Sequence, residues 1–197
     1  LTIDGKAVNN TSIKPSDRRH IGSAQPDFVY GMTNNLSYKN FDLTIFFQGS
    51  QGNKIFNGVR VESEGMKDSR NQSTTILSRW VKPGDITDMP GIKPYSDDNT
   101  QISTRFIEDG SYLRFKTITL AYRLNPKWIE RLGLSAASIY ISGQNLITIT
   151  KYTGFDPEVN TYGNDVSSDQ RNVALGVDYG AYPQAKVFLF GVNISLK

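Results

Sequence analysis

The sequence predicts an all-β fold: about five strands of an antiparallel transmembrane β-barrel with long extracellular loops. Three observations point to it. Apolar and polar residues alternate over several stretches of about ten residues, which is the pattern of strands. Aromatic residues make up 11% of the chain and gather near the ends of these stretches. The connecting segments alternate between short and very long, as they do in barrels that have turns on one side of a membrane and loops on the other.

The composition is compatible with this fold. The chain has 197 residues, of which 38% are hydrophobic, and no run approaches the roughly 20 apolar residues of a spanning helix. Barrels escape that test because their inward residues are polar. The net charge is +3 and Lys and Arg are scattered, so nucleic acid is not an expected partner. Cysteine is absent, which excludes disulfides and zinc–thiolate sites.

Residues 28–50 are predicted to form the first hairpin. Apolar residues recur at alternate positions from Phe28 to Tyr38, and Lys39-Asn40 is short enough for a tight turn. The returning strand carries one bare apolar row. With Tyr38, this row is Phe41, Leu43, Ile45 and Phe47. A membrane barrel would turn the row toward lipid, whereas a soluble sheet would bury it against a second layer.

Residues 112–151 are predicted to hold two more strands and a periplasmic connection. Trp128 in that connection is an expected interfacial anchor. In the first of these strands the apolar parity switches between Phe115 and Ile118. A β-bulge or a protein-covered upper face could explain the switch.

The fifth predicted strand lies in residues 185–197. Its apolar row is again predicted to face lipid and consists of Phe188, Phe190, Val192, Ile194 and Leu196. The opposite rows of the strands are predicted to line a lumen. They include Asn35, Thr44, Gln48, Gln144 and Asn193.

Residues 1–27, 51–111 and 152–184 are predicted to be extracellular loops, which places the C-terminus in the periplasm. A short helix is expected near residues 74–80, followed by a Pro/Gly-rich stretch. Structureless segments of such length are rare in compact domains and usually functional. Five strands cannot close a barrel, and an open edge in lipid leaves backbone groups unsatisfied at several kcal/mol each. The chain also starts without methionine or signal peptide, so we expect a fragment of a larger barrel.

Four segments, in this order, closely resemble the C-terminal region of SusC/RagA-family TonB-dependent outer-membrane transporters: GSAQPDFVYGMTNNLSYKNFDLTIFFQGSQGNKIFN, RFIEDGSYLRFKTITLAYRL, IYISGQNLITITKYTGFDPEV and GVDYGAYPQAKVFLFGVNISLK. The resemblance implies the last five strands of a 22-stranded barrel in the outer membrane of a Gram-negative, Bacteroidetes-type bacterium. It implies a plug upstream, energy from the TonB complex through that absent N-terminal region, and a SusD-like surface lipoprotein as a lid. The implied substrates are glycan or peptide fragments.

No coherent catalytic set is found. His20 is the only histidine. Glu108 and Asp109 are adjacent, so in a strand they point to opposite faces and cannot flank one glycosidic bond. We therefore expect neither an enzyme nor a cofactor, and a surface enzyme is the least favoured alternative. A soluble β-sandwich or carbohydrate-binding module is the stronger rival, and it requires the two apolar rows to meet inside one core.

Acidic residues in the loops are candidate calcium ligands, because calcium prefers clustered oxygens. Asp156, Glu158 and Asp165 share one loop, and Asp97-Asp98 lie in another. No EF-hand spacing exists, and acids that form turns are the favoured interpretation, so no metal site is predicted.

Aromatic side chains in or beside the long loops are the candidates for contact with substrate or lid. Their flat faces suit sugar rings and peptide side chains. Alternatively, they pack the loops internally or belong to the upper aromatic girdle. The candidates are Trp80, Tyr95, Tyr152, Phe155, Tyr162, Tyr179 and Tyr182.

Overall fold

The computed structural model describes residues 2–3, 6–7, 14–159 and 175–196. The strands are β1 (Thr2–Ile3), β2 (Lys6–Ala7), β3 (Phe28–Tyr38), β4 (Phe41–Gln51), β5 (Lys54–Asn57), β6 (Ile107–Asp109), β7 (Tyr112–Arg123), β8 (Leu134–Thr150), β9 (Val177–Asp178) and β10 (Val187–Leu196), and the α-helices are α1 (Gly58–Glu64) and α2 (Pro126–Ile129). None of the helices among these residues is long and apolar enough to cross a membrane.

The five long strands form one antiparallel sheet in the order β10-β8-β7-β4-β3. Each strand pairs with the next long strand of the chain, so the sheet is a simple meander. The predicted all-β antiparallel fold is confirmed. Within the described residues the sheet does not close, because β3 and β10 each have a neighbour on one side only.

The two ends of the sheet differ. At the turn end, Tyr38 pairs with Phe41 across Lys39-Asn40, and Lys39 adopts a left-handed φ of 53°. Arg123 joins the next strand to this turn, because its backbone N–H donates to the Asn40 carbonyl at 2.8 Å. The loop end carries the segments 52–111 and 151–186.

One face of the sheet is apolar. Residues paired in an antiparallel sheet point to the same side, and the registers align the apolar rows of all five strands. All ten residues predicted to face a membrane lie on this apolar face. Phe41 is 47% exposed and Phe190 is 78% exposed, so no second layer covers the sheet there.

A bulge at Lys116 explains the parity switch in β7. Phe47 pairs with Phe115 and Phe46 with Thr117, which leaves Lys116 as an extra residue opposite β4. The bulge returns Ile118 to the side that Phe115 occupies. Both halves of β7 therefore present their apolar residues on the same face.

The opposite, polar face consists mainly of hydroxyl and amide side chains that pair across strands. Ser37 donates to Asp42 at 2.6 Å and Thr44 donates to Asn35 at 2.9 Å. The residues predicted to line a lumen all lie on this face by register.

The long loops contain more structure than the sequence predicted. β5 pairs with β6 antiparallel and with β9 parallel, giving a three-stranded sheet of order β6-β5-β9. Helix α1 follows β5, and the Asn57 side chain caps it by accepting from the Arg60 N–H at 3.1 Å. The helix expected near residues 74–80 is a 3-10 turn, Thr74–Ser78. β8 begins at Leu134, directly after Gly133, which adopts a left-handed φ of 72°.

Candidate functional site at the loop end

Glu158 makes the first contact between the loop that follows β8 and the five-stranded sheet, which we call the wall. Its side chain lies against the polar face of the sheet, where four donors surround its carboxylate. Gln48 Nε2 and Tyr112 Oη each donate to Oε1 at 2.8 Å, while Arg114 Nη1 donates to Oε2 at 2.6 Å and Lys116 Nζ lies 3.4 Å from the same oxygen. The bulge in β7 contributes to this convergence, because the bulged Lys116 and the nearby Arg114 both contact Glu158 on the polar face.

Asp156 completes the contact. Arg114 is only 1% exposed, and its Nη2 donates to Asp156 Oδ1 at 2.5 Å. Burial tends to raise the pKa of Asp156, but backbone N–H donors from Gln184 and Glu158 and the Arg114 guanidinium outweigh burial and hold that pKa below its ordinary value. The carboxylate therefore stays charged and paired at neutral pH. We call Arg114, Asp156 and Glu158 the wall clamp.

A second buried carboxylate, Asp178, organises the far arm of the same loop. It is 0% exposed and accepts from the backbone of Gly180 at 2.7 Å and of Ala181 at 2.9 Å. Tyr152 Oη donates to it at 2.5 Å. Burial and the neighbouring Asp178 raise the pKa of Tyr152, so its hydroxyl remains a donor throughout the physiological range.

A third carboxylate, Glu108 of β6, links three segments. It accepts from Asn57 Nδ2 at 3.0 Å, from Arg60 Nη1 at 3.0 Å and from the Thr153 backbone at 2.8 Å. Burial alone would raise its pKa, yet the donors of Thr153, Arg60 and Asn57 bring the pKa below its ordinary value. Glu108 therefore acts as a structural anion.

Arg60 also grips the buried Glu64 through two bonds, at 3.0 and 3.1 Å, and Arg105 adds a third at 3.1 Å. These networks tie the loops into one folded layer above the sheet. Four of the five acidic side chains considered as calcium ligands lie in ion pairs: Asp156 and Glu158 with Arg114, Asp97 with Lys67 at 2.9 Å, and Asp98 with Lys93 at 2.7 Å. Asp165 lies outside the described residues.

A cleft of about 300 Å³ opens in this layer between α1 and the two arms of the loop that follows β8. Phe155 and Tyr179 form its aromatic side. Its remaining lining is Gly58, Val59, Glu62, Ser63, Arg70, Asn71 and Gly180. Arg70 is paired with Glu62 and with Asp68, so the charged groups at the rim are largely neutralised.

The predicted aromatic candidates have different environments. Tyr152 is 6% exposed and packs with Ile55 and Val159, so it belongs to the interior of the loop layer. Tyr95 and Tyr182 are each 97% exposed, and Trp80, Phe155 and Tyr179 are 43%, 69% and 58% exposed. The cleft brings together Phe155 and Tyr179 but not the others. Tyr162 lies outside the described residues.

Arg114 is a site residue that was not predicted from the sequence. The sequence did contain a signal for it. Arg114 is a cation among the polar residues of a predicted barrel strand, and two acidic residues, Asp156 and Glu158, follow in the loop after the next strand. Pairing them required knowledge that the loop folds back over the strand, and the partners lie more than forty residues apart.

No family model matches the chain. Named relatives do match over most of it. TonB-dependent receptor P3 of Formosa agariphila is 38% identical over 185 residues, or 94% of this chain and 18% of the receptor. TonB-dependent receptor SusC of Bacteroides thetaiotaomicron is 27% identical over 191 residues, again 94% of this chain and 17% of the receptor.

Solved structures agree. The RagAB peptide importer in its closed-closed state matches with a TM-score of 0.77 and 25% identity, covering 100% of this chain and 20% of that one. Its open-open state matches with a TM-score of 0.71 and 25% identity over 90% of this chain and 18% of that one. This chain thus spans about a fifth of the length of its relatives. The chain is therefore homologous to a segment of the SusC- and RagA-type TonB-dependent receptors, and its open sheet matches a piece of their barrel.

Proposed function

We propose that this chain forms the C-terminal wall and part of the outer mouth of an outer-membrane importer that takes up glycan or peptide nutrients. The observation that carries the proposal is the continuous apolar face of a five-stranded sheet that has relatives among TonB-dependent receptors. A soluble monomer rarely exposes so large an apolar patch. In a transmembrane barrel such an apolar face contacts the hydrocarbon tails of the lipids.

The β-sandwich alternative requires the row Phe41–Phe47 to face the row Phe188–Leu196 across a dry interior. In the described structure the two rows lie on the same side of one sheet, separated by β7 and β8. They cannot interdigitate without unfolding the sheet, which argues against the sandwich.

In this proposal the strands are the last five of a 22-stranded barrel in the outer membrane of a Bacteroidetes-type bacterium. The loop end faces outward and the turn end, with the C-terminus of β10, faces the periplasm. Long loops outside and short turns inside are the rule for such barrels. Energy for import comes from the TonB complex through a plug domain encoded upstream.

The exposed aromatic side chains of the loop layer are the candidates for contact with substrate and with a SusD-like surface lipoprotein. They present rigid faces at little entropic cost. These candidates are Trp80, Tyr95, Phe155, Tyr179 and Tyr182, and Tyr162 stays a candidate from sequence. The buried Tyr152 serves the loop itself.

Single cysteines test the membrane assignment, since this chain contains none. In the complete barrel protein with any other cysteines removed, Phe190→Cys on the apolar face should resist a water-soluble maleimide. The neighbouring Asn193→Cys, on the polar face, should react once detergent opens the lumen. Ile86→Cys, in an outer loop, should react on intact cells. Reaction of Phe190→Cys in membranes as fast as that of Ile86→Cys would contradict a lipid-facing sheet.

Uptake separates the substrate classes. Cells that depend on the complete importer are given fluorescent maltoheptaose or a fluorescent alanine hexapeptide. Uptake of one probe that stops when the proton gradient is dissipated would support import and name the class. Uptake that persists without the gradient would contradict TonB-coupled transport.

A further inference from the structure

We propose that Arg114 is a positioning residue of the importer. Through the wall clamp, it fixes the loop that follows β8 against the barrel wall and so determines where Phe155 and Tyr179 stand at the mouth. This inference rests on the proposed function, because a mouth exists only if the sheet is part of a barrel. Arg114 itself is almost fully buried and touches the loop.

The clamp holds both arms of the loop at one point. Asp156 Oδ1 accepts from Arg114 and from the Glu158 backbone, whereas Oδ2 accepts from the Gln184 backbone at 2.9 Å. Residue 184 lies at the end of the loop, shortly before β10 begins. The outgoing and returning arms therefore meet at a carboxylate that a wall arginine holds in place.

Phe155 precedes the clamped carboxylate directly, so its backbone moves with Asp156. Tyr179 is placed by the returning arm. The Tyr179 ring packs so closely over Gly58 that a Cβ there would lie 2.4 Å from ring atom Cε1. Phe56 contacts the same ring edge-on, with centroids 6.1 Å apart. Phe155 and Tyr179 therefore belong to the two arms of the loop that meet at the Asp156 carboxylate.

The environment makes this clamp strong. A buried ion pair that loses one partner leaves an uncompensated charge, and such losses are among the largest single-site effects. Arg123 offers a matched contrast on the same sheet. It pairs with Asp42 at 2.9 Å at the turn end, but their side chains are 55% and 37% exposed. Exposed pairs contribute little.

The test is hydrogen exchange by mass spectrometry on the complete receptor in detergent. Peptides from 151–159 and 175–186 report on the loop, and peptides from β4 and β8 report on the wall. Arg114→Met should speed loop exchange roughly 100-fold while the wall peptides stay protected. Arg114→Lys, which keeps the charge but offers one donor nitrogen where Arg114 uses two, should recover part of the protection. Arg123→Met should leave the loop unchanged.

A double-mutant cycle completes the assignment. As a single variant, Glu158→Gln should speed hydrogen exchange of the loop. In the Arg114→Met background the same substitution should have a much smaller effect, because Arg114 and Glu158 act through one contact. Unchanged loop exchange in Arg114→Met with a protected wall would overturn the inference. So would equal loss in wall and loop, since Arg114 would then stabilise the sheet and not position the loop. If the wall peptides of the unmodified receptor were unprotected, the proposed function would fail instead.

Discussion

Phe47 of β4 and Phe115 of β7 lie side by side on the apolar face, with ring centroids 5.9 Å apart. They do so because Lys116 is an unpaired, bulged residue between Phe115, which pairs with Phe47, and Thr117, which pairs with Phe46. Without the bulge, strict alternation back from Ile118 would turn Phe115 to the polar face. The bulge therefore lets β7 keep apolar residues on one face along its whole length while Arg114 stays on the polar face.

This geometry predicts opposite results for a lysine placed on either side of the bulge. Phe115→Lys puts a charge on the apolar face and should cost about 1 to 4 kcal/mol of barrel stability, depending on depth. Thr117→Lys puts the same charge on the polar face and should be tolerated. Urea unfolding of the complete receptor in lipid vesicles measures both. Equal costs would mean that the bulge does not set the two faces.

Gly49 is predicted to be intolerant of a side chain. A Cβ at this position would lie 2.4 Å from Tyr30 Cζ and 2.5 Å from the Tyr112 carbonyl oxygen, and the second contact is backbone. Gly49→Ala should therefore lower stability by about 1 to 3 kcal/mol, as overpacking does. Melting of the detergent-solubilised receptor measures it, with Asn193→Ala as the control. Tyr30→Leu should rescue only partly; full rescue would show that the backbone contact is unimportant.

The bond between Tyr152 and Asp178 yields a test of the loop interior. Tyr152→Phe removes the hydroxyl that donates to a fully buried carboxylate and should cost the loop layer about 1 to 3 kcal/mol. Tyr182→Phe removes a hydroxyl from a 97% exposed ring and should cost nothing measurable. Protease cleavage within the loop compares the two. Equal cleavage of both variants would remove Tyr152 from the structural core of the loop.

The loop layer should loosen in acid. The pKa values of Glu108 and Asp156 lie below their ordinary values in the folded protein. Their contribution to stability is therefore complete above the ordinary carboxyl values of about 4 and is lost as the pH falls through the lowered folded values. Hydrogen exchange of loop peptides, corrected for intrinsic rate, should rise below roughly pH 4. The Glu108→Gln receptor should have weaker loop protection at pH 7 and a smaller acid response. An acid response of unchanged size would assign it to other groups.

The strands could be predicted from the sequence because alternation with period two is a local pattern. In Phe41–Gln51 and Tyr112–Arg123 the alternation can be read directly from the residues, even though the bulge interrupts the second strand. The loop layer could not be predicted in the same way. Its sheet joins β5 to β9 in parallel across more than a hundred residues, and nothing local encodes that pairing.

The candidate site divides along the same line. Aromatic composition pointed to Phe155 and Tyr179, which the cleft does bring together. It pointed equally to Tyr152, whose burial depends on a distant carboxylate. The wall clamp required knowing that the Glu158 loop bends inward over β4 and β7, and that depends on tertiary contacts.

Because Asp156 gathers the outgoing and returning arms at one point, residues 156 and 184 are fastened to Arg114 and to each other independently of the chain that joins them. An epitope or a reporter inserted between the two arms is therefore expected to leave the strands and the wall clamp undisturbed.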